Sequence, residues 1–293
     1  MRFTTALGLS VLLALIALPA DALAAGAVRP SSVTGSLIVP AGRPSTISLH
    51  CPPGAVALNG AITRRGDGVV VRRSIPGEGS GDWAFRVARD GAGSRSVSAV
   101  LRCVALRLPD GLSHARLDVR SRSRSGIELA PGAKRFVRVG CGRNWTATGY
   151  ALSDGSGRVR LPEAAPEAHE WRFTLENTGT STALAGLSVR CLRPGVTATR
   201  SGGGSAELRF GVTRPSFEHA FPAGPSRRTA SGGCGGTRFS VAAGLQLDPA
   251  DPFEVITAGP RRAGGARWTF RNVSAGDAFR GYVVCLARNS AFH

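Results

Sequence analysis

WRFTLENTGTSTALAGLSVRC, from Trp171 to Cys191, is the stretch that decides the fold. Trp171, Phe173 and Leu175 alternate with Arg172, Thr174 and Glu176. That period of two belongs to a strand with one buried face. Asn177-Thr178-Gly179 follows and suits a turn, because Asn and Gly tolerate positive φ. The alternation resumes with Leu187, Val189 and Cys191 against Ser188 and Arg190. The tryptophan and the cysteine therefore belong to the inward faces of two successive strands, around one small core.

The same frame occurs twice more. Residues 83–103 read WAFRVARDGAGSRSVSAVLRC, and 268–285 read WTFRNVSAGDAFRGYVVC. Each begins Trp-x-Phe, crosses a polar turn and runs into a cysteine. An earlier cysteine precedes each, with separations Cys51 to Cys103 of 52, Cys141 to Cys191 of 50 and Cys234 to Cys285 of 51. Six cysteines allow 15 pairings in principle, and this spacing selects one bridge inside each copy. Strand-like runs lead into Cys51 (Ile47, Leu49) and Cys141 (Val137, Val139), while RRTASGGC before Cys234 has little apolar content. A unit of about 90 residues is the size of a small sandwich domain and too long for a solenoid repeat. The expectation is an all-β protein of three tandem Ig-like β-sandwich repeats, over 26–112, 113–204 and 205–293. Each holds one disulfide, with Trp83, Trp171 and Trp268 in the cores. Ser121–Gly126 and Ser201–Ser205 read as flexible linkers between units.

The chain opens MRFTTALGLSVLLALIALPADALAAG. Arg2, an uncharged apolar run and the small-x-small Ala22-Leu23-Ala24 make residues 1–25 a secretory signal peptide. The run falls short of the roughly 18 residues of a membrane-spanning helix, and no second such run follows. The expectation is a secreted protein, extracellular or loosely held at the cell surface, with no transmembrane segment after cleavage. In an oxidising compartment an even set of cysteines is a disulfide framework. No CxxC pair or His-x-x-x-His accompanies them, so no metal site is expected.

The formal charge is +18, and Lys134 is the one lysine among 37 basic residues. A surface this positive attracts polyanions. The sharpest local case is HARLDVRSRSRSG, 114–126, where an extended chain places Arg116, Arg120, Arg122 and Arg124 on one face. Phosphates or uronates fit such a ladder; an edge strand blunted by charge, or a basic linker, is the plainer account. The partners expected are anionic envelope polymers or polysaccharide, without specific nucleic-acid recognition.

Catalytic patterns are missing from the sequence. None of the five histidines recurs at one repeat position, and no Gly-x-Ser-x-Gly elbow occurs. Asp154-Gly155-Ser156-Gly157 and Arg65-Gly66-Asp67 read as hairpin turns. Asp248, Asp251 and Glu254 lack the glycine and ligand count of a calcium loop. No catalytic residue and no cofactor is assigned.

Cys51-Pro52-Pro53-Gly54, Asn59-Gly60, Trp83 and Cys103 resemble a module of secreted proteins from high-GC bacteria. Trp171-x-Phe173 followed by Asn177-Thr178-Gly179 is similar to bacterial Ig-like adhesion repeats. These resemblances imply a fold class and a surface location and carry over no functional residues. The function expected is a non-enzymatic polyanion binder; the alternatives are an extracellular enzyme or inhibitor with a loop-borne site, or a spacer without ligand.

Overall fold

The computed structural model describes residues 26–290 apart from 78, 223, 225, 248–253, 262, 263 and 288. The expected leader over 1–25 and the acidic pair Asp248 and Asp251 lie outside the described residues. What is described is all-β. Among the described residues no helix is long and apolar enough to cross a membrane.

The first unit holds β1 (Gly26–Val39), β2 (Ser45–His50), β3 (Ala55–Arg65), β4 (Val69–Pro76), β5 (Asp82–Arg89) and β6 (Arg95–Arg107). They form two facing sheets, β1-β6-β3 and β2-β5-β4. A two-residue strand, β7 (Leu112–Ser113), leads to the second unit: β8 (Val119–Leu129), β9 (Lys134–Gly140), β10 (Thr146–Asp154), β11 (Val159–Pro166), β12 (Glu170–Asn177) and β13 (Ala183–Leu192). Its sheets are β8-β13-β10 and β9-β12-β11, the same strand order. A hairpin of β14 (Gly195–Arg200) and β15 (Ser205–Arg209) follows and pairs with β7. The third unit has a split first strand, β16 (Val212–Thr213) and β17 (Ser216–Ala220), then β18 (Arg228–Gly233), β19 (Arg238–Leu247), β20 (Glu254–Pro260), β21 (Gly265–Arg271) and β22 (Ala278–Ala287), with β23 (Asn289–Ser290) beyond it. Its sheets are β16/β17-β22-β19 and β18-β21-β20.

Disulfides join Cys51 to Cys103, Cys141 to Cys191 and Cys234 to Cys285. Each ties the end of a unit's second strand to its sixth, across the two sheets. Trp83, Trp171 and Trp268 are among the largest fully buried side chains, each with a buried Phe two residues on. The three sixth-strand ladders break at one shared place. Ala57, Ala147 and Ser240 lie opposite Cys103, Cys191 and Cys285, and one extra residue then bulges out: Leu58, Thr148 or Val241. All three are fully buried. A bulge bends its strand and sharpens the twist, here where units meet.

The units close on one another. β4 pairs with β10 at Arg73↔Ser153, and β11 pairs with β19 at Glu163↔Gln246 and Ala164↔Leu245. β20 packs on β3 without a ladder, and Arg65 Nη2 meets Glu254 Oε1 there at 2.9 Å. Each unit thus offers its fourth strand to the third strand of another, and three such contacts make a ring. β1 pairs with β23, Gly26↔Ser290, beside the closure.

Arginines lock the ring. Arg190, on β13, donates from Nε to Ala57 O (2.9 Å) and from Nη2 to Gly79 O (3.2 Å) and Ser80 O (2.6 Å), all in the first unit. Arg102, at the same place on β6, donates to Arg261 O in the third unit. Both also donate to a serine across their own ladder, Ser121 and Ser32. In the third unit that position is Val284. The flanking register, Thr213↔Cys285 and Ser216↔Tyr282, sets Arg214 opposite it. Arg214 Nη2 donates to Ala168 O (2.9 Å) and Ala147 O (3.4 Å) in the second unit. The arginine has changed sides of the ladder and kept its targets, because cross-strand neighbours share one face.

The Gly/Ser segments are not linkers. Ser121–Gly126 lies inside β8, and Ser201–Ser205 closes the β14–β15 hairpin, with Gly203 and Gly204 at positive φ. Composition alone does not separate a tight turn from a flexible connection; both are rich in small residues.

Candidate functional site

Two features stand apart from the shared frame. The first is a cleft where β8 and β9 edge the second unit's two sheets. Arg120, Arg122 and Arg124 lie opposite Cys191, Val189 and Leu187. Those partners point into the sandwich, so the arginines occupy inner positions at its open edge. Arg120, Arg122, Arg124 and Arg138 line the cleft with the Gly140–Gly142 turn. The structure sets Arg116 ahead of β8, exposed, and the ladder begins at Arg120.

The other units fill the equivalent positions differently. Ser31, Val33 and Gly35 lie opposite Cys103, Leu101 and Ala99 in the first unit. In the third, Thr213 and Phe217 lie opposite Cys285 and Gly281. Val33 and Leu37 pack on the first core, and Phe217 on the third. Apolar side chains shut those two edges; arginines hold the second open.

Arg120 stacks over Trp145, 4.0 Å from guanidinium to ring centroid, and donates to Cys141 O. Burial, and then the neighbouring Arg122, push its pKa down. Among the described residues Arg122 and Arg124 have no carboxylate partner. Three like charges side by side, two of them unpaired, suit a line of anionic groups. Sequence reasoning missed Arg138 and Trp145. Trp145 carried a signal: it is the tryptophan outside the Trp-x-Phe position, just after Cys141.

The second feature is a cavity of about 610 Å³ within the ring. It is lined by the third and fourth strands of every unit, and Tyr150, Leu152, Leu245 and Ile256 are among its walls. Tyr150 occupies the position of Gly60 and Ala243, as the register opposite Val189, Leu101 and Val283 shows. Its ring lies 4.6 Å from Trp171 and 5.6 Å from Phe173, and burial pushes its pKa up to about 12.

The two segments read as hairpin turns, 154–157 and 65–67, lie at hairpin turns. Asp154 is buried, and its carboxylate accepts from Ser156 N (2.9 Å), Ser156 Oγ (2.6 Å) and Val159 N (2.6 Å), closing the β10–β11 hairpin. Gly66 and Asp67 lie in the β3–β4 turn, where Val69 N donates to Gly66 O at 3.2 Å. His50 pairs with Asp82 at 2.9 Å on the surface, and His169 Nδ1 lies 2.7 Å from Trp145 O. No protein-family model matches the chain, and no curated protein matches it.

Proposed function

We propose that the protein is a secreted, non-enzymatic chain of three Ig-like sandwiches that binds anionic polymers in the β8–β9 cleft. The observation that carries the reading is the contrast between equivalent edges. Arginines are spread along the whole chain, yet only the second unit has them at these inner positions. Six cysteines, all in disulfides, point to an oxidising compartment. The Ig-like reading is supported by connectivity. The second, fifth and fourth strands make one sheet, the third and sixth join the other, and the bridge from second to sixth matches the B-to-F disulfide of such domains. The unit's first strand takes the place of strand G.

Retention of the mature protein on a polyglycerol-phosphate or polygalacturonate column, over rising salt, tests the reading. The native protein is expected to bind at low salt and elute as salt screens the charges. R122A/R124A is expected to weaken binding by about tenfold or more, as loss of two charge-assisted contacts implies. A control pair removed elsewhere, R227A/R228A, matches the lost charge. Equal loss in both variants sinks the cleft and leaves a diffuse charge effect. Inward charges also stop an edge strand from recruiting another; on that reading R122A/R124A self-associates in sedimentation and binds polymer as before.

A further inference from the structure

We infer that the cavity inside the ring is a second binding site, for a small amphipathic acid: an apolar chain or fused-ring body with one carboxylate. The space opens to solvent at its rim, where Asp67 and Arg158 are exposed. A space of about 610 Å³ falls in the range of small-molecule sites. It is not a local packing fault, because the same two strands of all three units build it.

The walls and rim specify the ligand. Ile62, Leu152, Leu161, Leu245 and Ile256 give an apolar body, and Tyr150 adds a neutral phenol. A phenol is protonated at neutral pH and able to donate. Four arginines, Arg65, Arg158, Arg160 and Arg271, line the cavity against two carboxylates, Asp67 and Glu254. Glu254 is engaged by Arg65 at 2.9 Å and by Arg271 Nε at 2.7 Å, and Arg160 by Glu176 at 2.6 Å. Arg158 is exposed and, among the described residues, has no acidic partner. It is the cation left for a ligand's carboxylate. A cation would meet this surplus of arginines, and a purely apolar ligand would leave it unused.

Isothermal titration of the mature protein with laurate, for chains, and cholate, for fused rings, tests this. Saturable one-to-one binding of at least one acid is expected. L152W and I256W, on different units, fill the space and are each expected to abolish it. R158A alters an exposed side chain and is expected to weaken the acid about tenfold while leaving the uncharged analogue dodecanol or its sterol counterpart unchanged. Circular dichroism of each variant checks folding. Saturation by neither acid overturns the site, as does binding that both tryptophan variants leave intact. Equal R158A effects on acid and alcohol overturn the assignment of the carboxylate. The site does not depend on the β8–β9 cleft, and R122A/R124A is expected to bind the acid normally.

Discussion

The first and second units share a disulfide, an indole, a bulge and a strand order, and differ beside each. Under Trp83 lies Gly60, where an added Cβ would stand 2.4 Å from the ring. Under Trp171 stands Tyr150. The first indole donates from Nε1 to Ser74 Oγ at 3.0 Å, and the third to Gly244 O at 3.0 Å. The second, tilted against the phenol, has a buried Nε1 without a partner among the described residues. Along the outer edge Val33 and Leu37 close one sandwich, and Arg122 and Arg124 prop the other open. The frame is held constant, and variation sits next to it: at the edge, where a ligand reaches, and under the indole, where the cavity begins.

The largest effect is expected from breaking what every unit shares. R190M leaves the buried carbonyl of Ala57 without its guanidinium and breaks the bonds to Gly79 and Ser80, and about 2–3 kcal/mol of stability is expected to go, since losing hydrogen bonds from a charged group and leaving a buried acceptor unsatisfied costs about that much. Urea unfolding measures it. A loss below about 1 kcal/mol would falsify the lock. The change of sides in the third unit sharpens the point. R214S is expected to destabilise, and adding V284R, which restores the Ser–Arg order of the other units, to recover part of the loss.

Gly60 comes next. G60A drives a methyl into the Trp83 ring, and overpacking of this kind costs about 1–3 kcal/mol. Ala243, its counterpart, already carries a Cβ, so the third unit accepts what the first refuses. The indoles differ more subtly. W83F gives up a hydrogen bond as well as ring area, whereas W171F removes an orphaned donor. The first is expected to lose about 1 kcal/mol more than the second; equal losses would mean that the Trp83 bond adds nothing to stability.

The smallest effect is a titration. Tyr150 ionises near pH 12 in the folded chain and near 10 in the unfolded one. The unfolded state loses its proton first, so this phenol contributes nothing below about pH 10 and lowers stability as pH rises from 10 toward 12. Arg190, whose pKa burial lowers to about 10, pulls the other way over the same window, because the unfolded chain then holds the extra proton. Stability alone therefore blurs the two. Absorbance at 295 nm separates them: a phenolate step near 12 is expected, missing from Y150F.

Much of each sandwich is legible in the sequence, because a strand's period of two writes its buried face directly into alternate residues. Trp171, Phe173 and Leu175 are such a case, and so are Leu187, Val189 and Cys191. The ring is not legible. A contact such as Arg73↔Ser153 joins residues whose own strands already explain them, and no periodicity marks an edge that will pair with another unit. The arginines of β8 show the limit from the other side. Their alternation is plain in SRSRS, but a run of polar residues reads as facing solvent. Only the partners Cys191, Val189 and Leu187 reveal that these arginines, Arg122 and Arg124 exposed among them, stand on the inner face of an open edge. Tyr150 is invisible for a related reason: its weight lies in the Gly60 and Ala243 that stand in its place elsewhere.

The pairing of Gly26 with Ser290 sets an order of events. Most of β1 pairs with β6 inside the first unit, but Gly26 and Ala27 meet Ser290 and Asn289 only when the last strand has arrived, and Arg102 waits for a carbonyl in the third unit. A product truncated after the second unit holds the cysteines of two bridges and the strands of two sandwiches, yet it lacks the third unit's walls of the inner chamber. That chamber is therefore a property of the three units together and of none of them alone.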